Sequence, residues 1–341
     1  MRKLQSALGY DDQSNRAGSA LNSGGDIPHV SAMTSIPCAS ICIPTYNRAE
    51  VLAGTLEHLA RLERRDEIEV LVYDDGSDRD LRSVLGDRYP DVTFVRSEDN
   101  RGQCHGRNVL SGRARGEILI GLDDDSWFTQ PDAVSRILAV FAEHPSAGLL
   151  SFRITWADGR CCPPLATDTV YPTDSFIGCG YAIRHHVAER TGYYENSLFR
   201  GGEERDLAIR VLDAGYDILQ VSNINVYHLE THVTRDEMAI HTYVFRNELL
   251  TSVLRFPLAQ CATSVPKSLL SHLRFCWRRR WPGAYGKGLA DAARLLPWAV
   301  RHRRPVRAST VRRFRRLARS RVAEERSPGR GITLLADSAT D

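Results

Sequence analysis

The sequence predicts an α/β fold built on a mostly parallel sheet. Short apolar, β-branched runs alternate along the chain with segments whose apolar residues recur at helical spacing. Three of the apolar runs close on polar clusters, and the carboxyl ends of strands are where open parallel sheets bind ligands.

Residues 1–36 are rich in Ser, Gly, Asn and Asp, a composition that predicts disorder. "CASICIP" (38–44) reads as a buried strand ending at Pro44, and "AEVLAGTLEHLARL" (49–62) as a helix. "IEVLVY" (68–73) and "VTFV" (92–95) are the second and third strands. "GQCHGRNVLSGRA" (102–114) fits a helix and "EILIGL" (117–122) a fourth strand. "PDAVSRILAVFAEH" (131–144) starts a helix at Pro131, and "AGLLSFRITW" (147–156) is a further strand. These elements define an ordered domain over 37–255, a basic helical region over 256–327 and a flexible tail over 328–341, with no internal repeat.

The hydrophobic fraction of 42% over 341 residues is enough for a sizeable core. The eight cysteines form no C-x-x-C pair, which argues for a reduced intracellular protein and against a disulfide scaffold or zinc site. The first 26 residues lack the apolar centre of a signal peptide, and no run of 18 apolar residues exists, so no membrane-spanning helix is expected. The expected location is the cytoplasm, with peripheral contact at the inner face of the cell membrane. Charge is uneven. Residues 266–330 carry 19 Lys/Arg against three acids, a net of +16, which leaves −13 on the remainder.

The polar clusters are "PTYNR" after the first strand, "DDGS" after the second and "DDDS" after the fourth. Each alone fits a solvated turn. Together they point to one site. The adjacent carboxylates Asp123, Asp124 and Asp125 repel one another unless balanced, and such a set suits Mn²⁺ or Mg²⁺ bridging to nucleotide phosphates. There is no G-x-x-x-x-G-K-[ST] and no G-x-G-x-x-G after the first strand, which excludes a P-loop and argues against a dinucleotide fold.

The ordered series "IPTYNR", "YDDGSD", "NRGQCHGRN" and "GEILIGLDDDS", followed by "FIGCGYAIRHHVAERTGYYENSLFRGGEERDLAIRVLDAGYDI" (176–218), resembles the family 2 glycosyltransferases of GT-A fold over about residues 38–255. The resemblance implies a mixed sheet flanked by helices, with the basic helical region appended. It implies donor contacts from Thr45, Tyr46 and Arg48, and nucleobase contacts from Asp74 and Asp75. The D-x-D motif falls on Asp123 and Asp125, with Asp124 between them. Asp125 is the leading metal ligand, Asp123 holds ribose or shares the metal, and His228 is the third ligand, with His232 as a competitor. Arg107, of the family's R-N pair with Asn108, would neutralise an aspartate or a phosphate.

The family commonly has Glu-Asp where this chain has Glu203-Glu204, which points to Glu204 as the general base, with Asp206 and Glu203 as rivals. The implied reaction is metal-dependent, inverting transfer of a sugar from a UDP-, dTDP- or GDP-sugar to a glycan or lipid-linked acceptor hydroxyl. The implied setting is polysaccharide, cell-envelope glycan or glycoconjugate synthesis. A nucleotidyltransferase is the enzymatic alternative, although "PTYNRAE" lacks the glycines such a loop wants. A non-catalytic nucleotide-sugar or glycan-binding protein is the other. The basic region with its Trp and Leu residues fits an anionic membrane surface better than a solvated helical face or nucleic acid.

Overall fold

The computed structural model describes residues 36–164, 168–230 and 236–326, with side chains to 321. The expected disordered segment, the flexible tail and His232 lie outside the described residues, Ile36 excepted.

In chain order the elements are β1 (Ala39–Thr45), α1 (Ala49–Leu59), β2 (Ile68–Asp74), α2 (Leu81–Leu85), β3 (Val92–Arg96), α3 (Gln103–Ser111), β4 (Ile118–Leu122), β5 (Ser126–Phe128) and α4 (Ala133–Glu143). There follow β6 (Ala147–Trp156), β7 (Cys161–Cys162), β8 (Val170–Pro172), β9 (Gly180–Arg184), α5 (His185–Thr191), α6 (Glu203–Asp213) and β10 (Asp217–His228). The chain then turns helical, through α7 (Glu237–Arg255), α8 (Leu258–Arg279), α9 (Pro282–Arg301) and α10 (Ala308–Arg326).

One sheet runs β3-β2-β1-β4-β9-β6-β10-β5, with β7 added to β6 and β8 to β10. Its first four strands are parallel, β9 lies antiparallel between β4 and β6, β6 and β10 are parallel, and β5 closes the far edge antiparallel. β2 is buried at every residue, as expected of a parallel strand covered on both faces. Pro44 sits inside β1 rather than ending it. The strand tolerates it because the β1–β4 ladder stops at Cys42–Gly121, before Pro44 is reached.

Two apolar layers sandwich the sheet. One packs Leu52, Leu56 and Leu59 of α1 and Ile137 and Phe141 of α4 against one face. The other gathers Leu110 of α3, Val187 of α5, Leu207 and Ile209 of α6, and Leu250 and Leu254 of α7. This second layer continues into Leu295 and Ala299 of α9 and Val311 and Phe314 of α10. Residues after 255 therefore share the domain's core. Arg303 donates to the carbonyls of Val253 and Phe256, and the Val306 amide to that of Arg255 at 2.8 Å, which fastens the 302–307 strap along the end of α7. No helix among the described residues is long and apolar enough to cross a membrane.

Candidate active site

The parallel strands deliver three loops to one end of the sheet. Thr45, the last residue of β1, donates through Oγ1 to Asp124 Oδ2 at 2.6 Å. Arg48 forks across two acids, donating to Asp124 Oδ1 at 2.5 Å and to Asp125 Oδ2 at 2.7 Å. Asn47 takes the left-handed conformation (φ 56°), and its side chain accepts from the Asp78 amide at 2.8 Å, tying the first loop to the second. Tyr46 stands 43% exposed, open to a ligand.

In the second loop, Asp74 is buried and accepts from the Ser77 and Leu81 amides at 2.9 and 3.3 Å and from Arg96. Both of its oxygens are engaged in folding the turn. Asp75 is also buried. Its two oxygens accept from the amides of Arg101 and Gly102 at 2.8 and 2.9 Å, holding the loop before α3 against it. Burial pushes its carboxyl up.

The chain itself balances the three consecutive acids. Asp123 accepts from Arg107 at 2.6 Å, Asp124 takes Thr45 and Arg48, and Asp125 takes Arg48 and His228 Nε2, the last at 3.1 Å. Burial first, opposed by Arg48, raises the Asp124 carboxyl to about 7. Asp125 is desolvated too, but His228 and Arg48 hold it down at about 2. Burial would lower His228, yet Asp125 and the Cys179 thiol raise it to about 11.

Ligand atoms of Asp123, Cys179 and His228 lie within 4.8 Å of one another, and His228 Nδ1 is buried without a hydrogen-bond partner. The cluster offers one carboxylate, one imidazole and one thiol, and Asp125 meets it through His228 Nε2 at 3.1 Å; the carboxylates and the imidazole suit Mn²⁺ or Mg²⁺. Cys179, which the sequence did not single out, adds a softer atom beside it.

Arg107 is 1% exposed, and its guanidinium lies over the rings of Tyr181 and Tyr194. From there it holds Asp123 and donates to the Gly178 carbonyl at 2.9 Å.

The acidic start of α6 supplies the other side. Gly201 and Gly202 both take positive φ (78° and 81°), a turn that L side chains resist, and this swings the chain into the helix. Asn247 Nδ2 braces the turn, donating to the carbonyls of Leu198, Arg200 and Gly201 at 2.9, 3.0 and 2.7 Å. The three acids that follow differ sharply. Asp206 is fully buried, with one oxygen held by Arg255 at 2.6 Å and the other by Arg210 at 2.7 Å. Glu203 is 1% exposed, accepts from Gln103 and leaves Oε2 buried and unpaired. Glu204 alone stays partly accessible, and its Oε1 accepts from the Gly178 amide at 3.3 Å. Burial, then the charge of Glu203, pushes the Glu204 carboxyl up to about 8. Gly178 thus joins the two halves, with its carbonyl on Arg107 and its amide on Glu204. A Cβ there would come within 2.9 Å of Glu204 Oε1.

Residues 40–160 match the family model described as Glycosyl transferase family 2. Over those residues the chain is similar to the family 2 glycosyltransferases. An uncharacterized glycosyltransferase of Haemophilus influenzae is 33% identical over 111 residues, 33% of this chain and 37% of that protein. The O-antigen chain rhamnosyltransferase WbaN of Salmonella anatum is 20% identical over 219 residues, 59% of this chain and 69% of that one. The chain thus aligns with little more than a third of the Haemophilus relative's length, and with 23% of Bacillus subtilis YfnE. Among solved structures, mannosyltransferase PcManGT from Pyrobaculum calidifontis, in complex with GDP-Man and Mn²⁺, superposes with a TM-score of 0.55 at 18% identity over 85% of each chain. S. aureus TarS 1–349 in complex with UDP-GlcNAc gives 0.55 at 17% over 84% of this chain and 91% of that one. These likenesses give the domain the GT-A fold.

Proposed function

We propose that the protein is a metal-dependent, inverting glycosyltransferase that moves a sugar from a nucleotide-sugar donor to an acceptor hydroxyl in cell-envelope glycan or polysaccharide synthesis. The observation that carries this reading is the continuous link Asp123–Arg107–Gly178–Glu204, which fixes a D-x-D loop and an accessible, proton-hungry carboxylate in one frame. Structural neighbours solved with GDP-Man and with UDP-GlcNAc support a nucleoside-diphosphate sugar as donor.

In this reading Tyr46 and the first loop receive the nucleoside, with Asp75 on the nucleobase side. Asp125, Asp123 and His228 would hold a divalent cation, which supplies charge neutralisation for the departing diphosphate. Glu204 takes the proton from the acceptor hydroxyl as its oxygen bonds to the anomeric carbon. The bond to the nucleoside diphosphate breaks on the opposite face, so the configuration inverts and no sugar–enzyme bond forms. Arg107 positions Asp123 without touching substrate. The test is turnover of a panel of UDP-, dTDP- and GDP-sugars by the full chain and by Glu204→Gln. Donor cleavage that needs a divalent cation and collapses in the variant supports the reading. Undiminished turnover by Glu204→Gln would exclude Glu204 as the base.

A further inference from the structure

The +16 segment divides into two parts with different uses. On α10 and its strap four arginines pin the fold, while Arg312 and Arg316 stay exposed: Arg307 pairs with Asp213, Arg313 with Asp217 and Arg321 with Asp174, and Arg315 donates to Ser264 at 2.5 Å. On α8 the cations Lys267, Arg274 and Arg278 are exposed and make no ion pair among the described residues.

Helical spacing sorts α8 into faces. Ser268, His272 and Cys276 are buried, while Leu270, Leu273 and Trp277 form an exposed apolar stripe, with Trp277 81% exposed. Lys267, Arg274 and Arg278 run beside that stripe on the same helix. α9 adds an exposed stripe of its own, Leu289, Leu296 and Val300.

The hairpin also packs on α7, the helix that braces the turn before Glu204. His241, in the first half of α7, stacks on Phe275 at 4.3 Å, and Phe245 stacks on His272 and Tyr285. On the same helix the Tyr243 ring lies 5.8 Å from Phe199, and Asn247 braces the turn that leads into Glu204.

We infer that the α8–α9 hairpin docks on an anionic bilayer surface. Trp277, Leu273 and Leu270 enter the headgroup layer and Lys267, Arg274 and Arg278 meet lipid phosphates, so that a lipid-carried acceptor approaches Glu204 from the membrane side. Apolar residues flanked by cations suit such an interface, and a lone Trp at this exposure is stable there in a way it is not in water. The approach of the acceptor rests on the transferase reading. The docking does not.

The test is co-sedimentation of the full chain with vesicles of phosphatidylcholine mixed with phosphatidylglycerol, and with phosphatidylcholine alone, at low and high salt. Binding should require the anionic lipid and weaken with salt. Leu273→Ser/Trp277→Ser and Arg274→Glu/Arg278→Glu should each cut partitioning by about tenfold or more, and Arg312→Glu/Arg316→Glu on α10 by far less. Circular dichroism and donor binding by calorimetry should be unchanged in all three. Equal loss in the α10 variant, full retention in the α8 variants, or preference for RNA over vesicles would overturn the inference. So would a stable dimer in solution that buries the Trp277 stripe. A chain that docks normally yet turns over no donor would instead overturn the transferase reading alone.

Discussion

A carboxyl pushed up to about 8, as Glu204 is, holds its proton at neutral pH and gives it up only as pH rises. If it is the base, turnover at saturating donor should climb with pH up to about 8 and level off above, a profile that Glu204→Gln should lose together with roughly 10²–10⁴ in kcat. Stability should move the other way. The native state binds this proton more tightly than the unfolded chain, whose glutamates titrate near about 4.3, so stability falls between those two pKa values as pH increases. Glu204→Gln should therefore melt higher than the parent at pH near 8 and close to it under acid conditions, which thermal scans at both ends would register. Asp125 offers the complementary case. Arg48 and His228 hold it ionised, so Asp125→Asn leaves both cations short of a partner and should weaken donor and Mn²⁺ binding together. Titration calorimetry with each ligand measures this, and full turnover by the parent chain in excess EDTA would refute the metal requirement.

At the scale of elements, the contacts between α6 and α7 decide where Glu204 points. Asn247→Ala removes three hydrogen bonds and leaves the carbonyls of Leu198, Arg200 and Gly201 bare, a loss of about 2–3 kcal/mol. Because the turn also aims Glu204, kcat should drop while donor affinity holds, and denaturant melts alongside steady-state kinetics would separate the two effects. This dependence explains which parts of the site were legible in the sequence. The loops "PTYNR" and "DDDS" follow strands that announce themselves as local apolar runs, so Thr45, Arg48 and Asp123–Asp125 could be found together. The difference among Glu203, Glu204 and Asp206 could not, because it is set by Arg255, 49 residues further on, and by Gly178 in a different turn. The depth of Arg107 is hidden for the same reason: Tyr181 and Tyr194 bury it, and neither is near it in sequence. β5 is three residues long, too short for its periodicity to speak, and β9 (GYAIR) is no β-branched run; both are stabilised by ladders to distant strands.

For the whole molecule, the basic C-terminal quarter serves the core as well as the surface. Its charge suggests an appendage beyond residue 255, yet Val306, Val311 and Phe314 are buried in the same apolar layer as Leu207 and Leu254. Each such side chain contributes about 1.5–3 kcal/mol when buried, and domains are stable by only about 5–15 kcal/mol in total. Removing residues 303–341 strips all three from the core. It also deletes Arg303, which covers the end of α7, and unpairs the Asp213 and Asp217 carboxylates from Arg307 and Arg313. The truncated chain should lose its cooperative thermal transition or collect in the insoluble fraction, whatever lipid is present. The Leu273→Ser/Trp277→Ser chain, altered only on the exposed face of α8, should melt within a few degrees of the parent. A soluble 1–302 chain with an unchanged transition would make α10 a true appendage and return its arginines to the pool available for a membrane. Loss of the transition in the truncation alone assigns the two halves of the basic segment separate tasks, core closure for α10 and surface contact for α8.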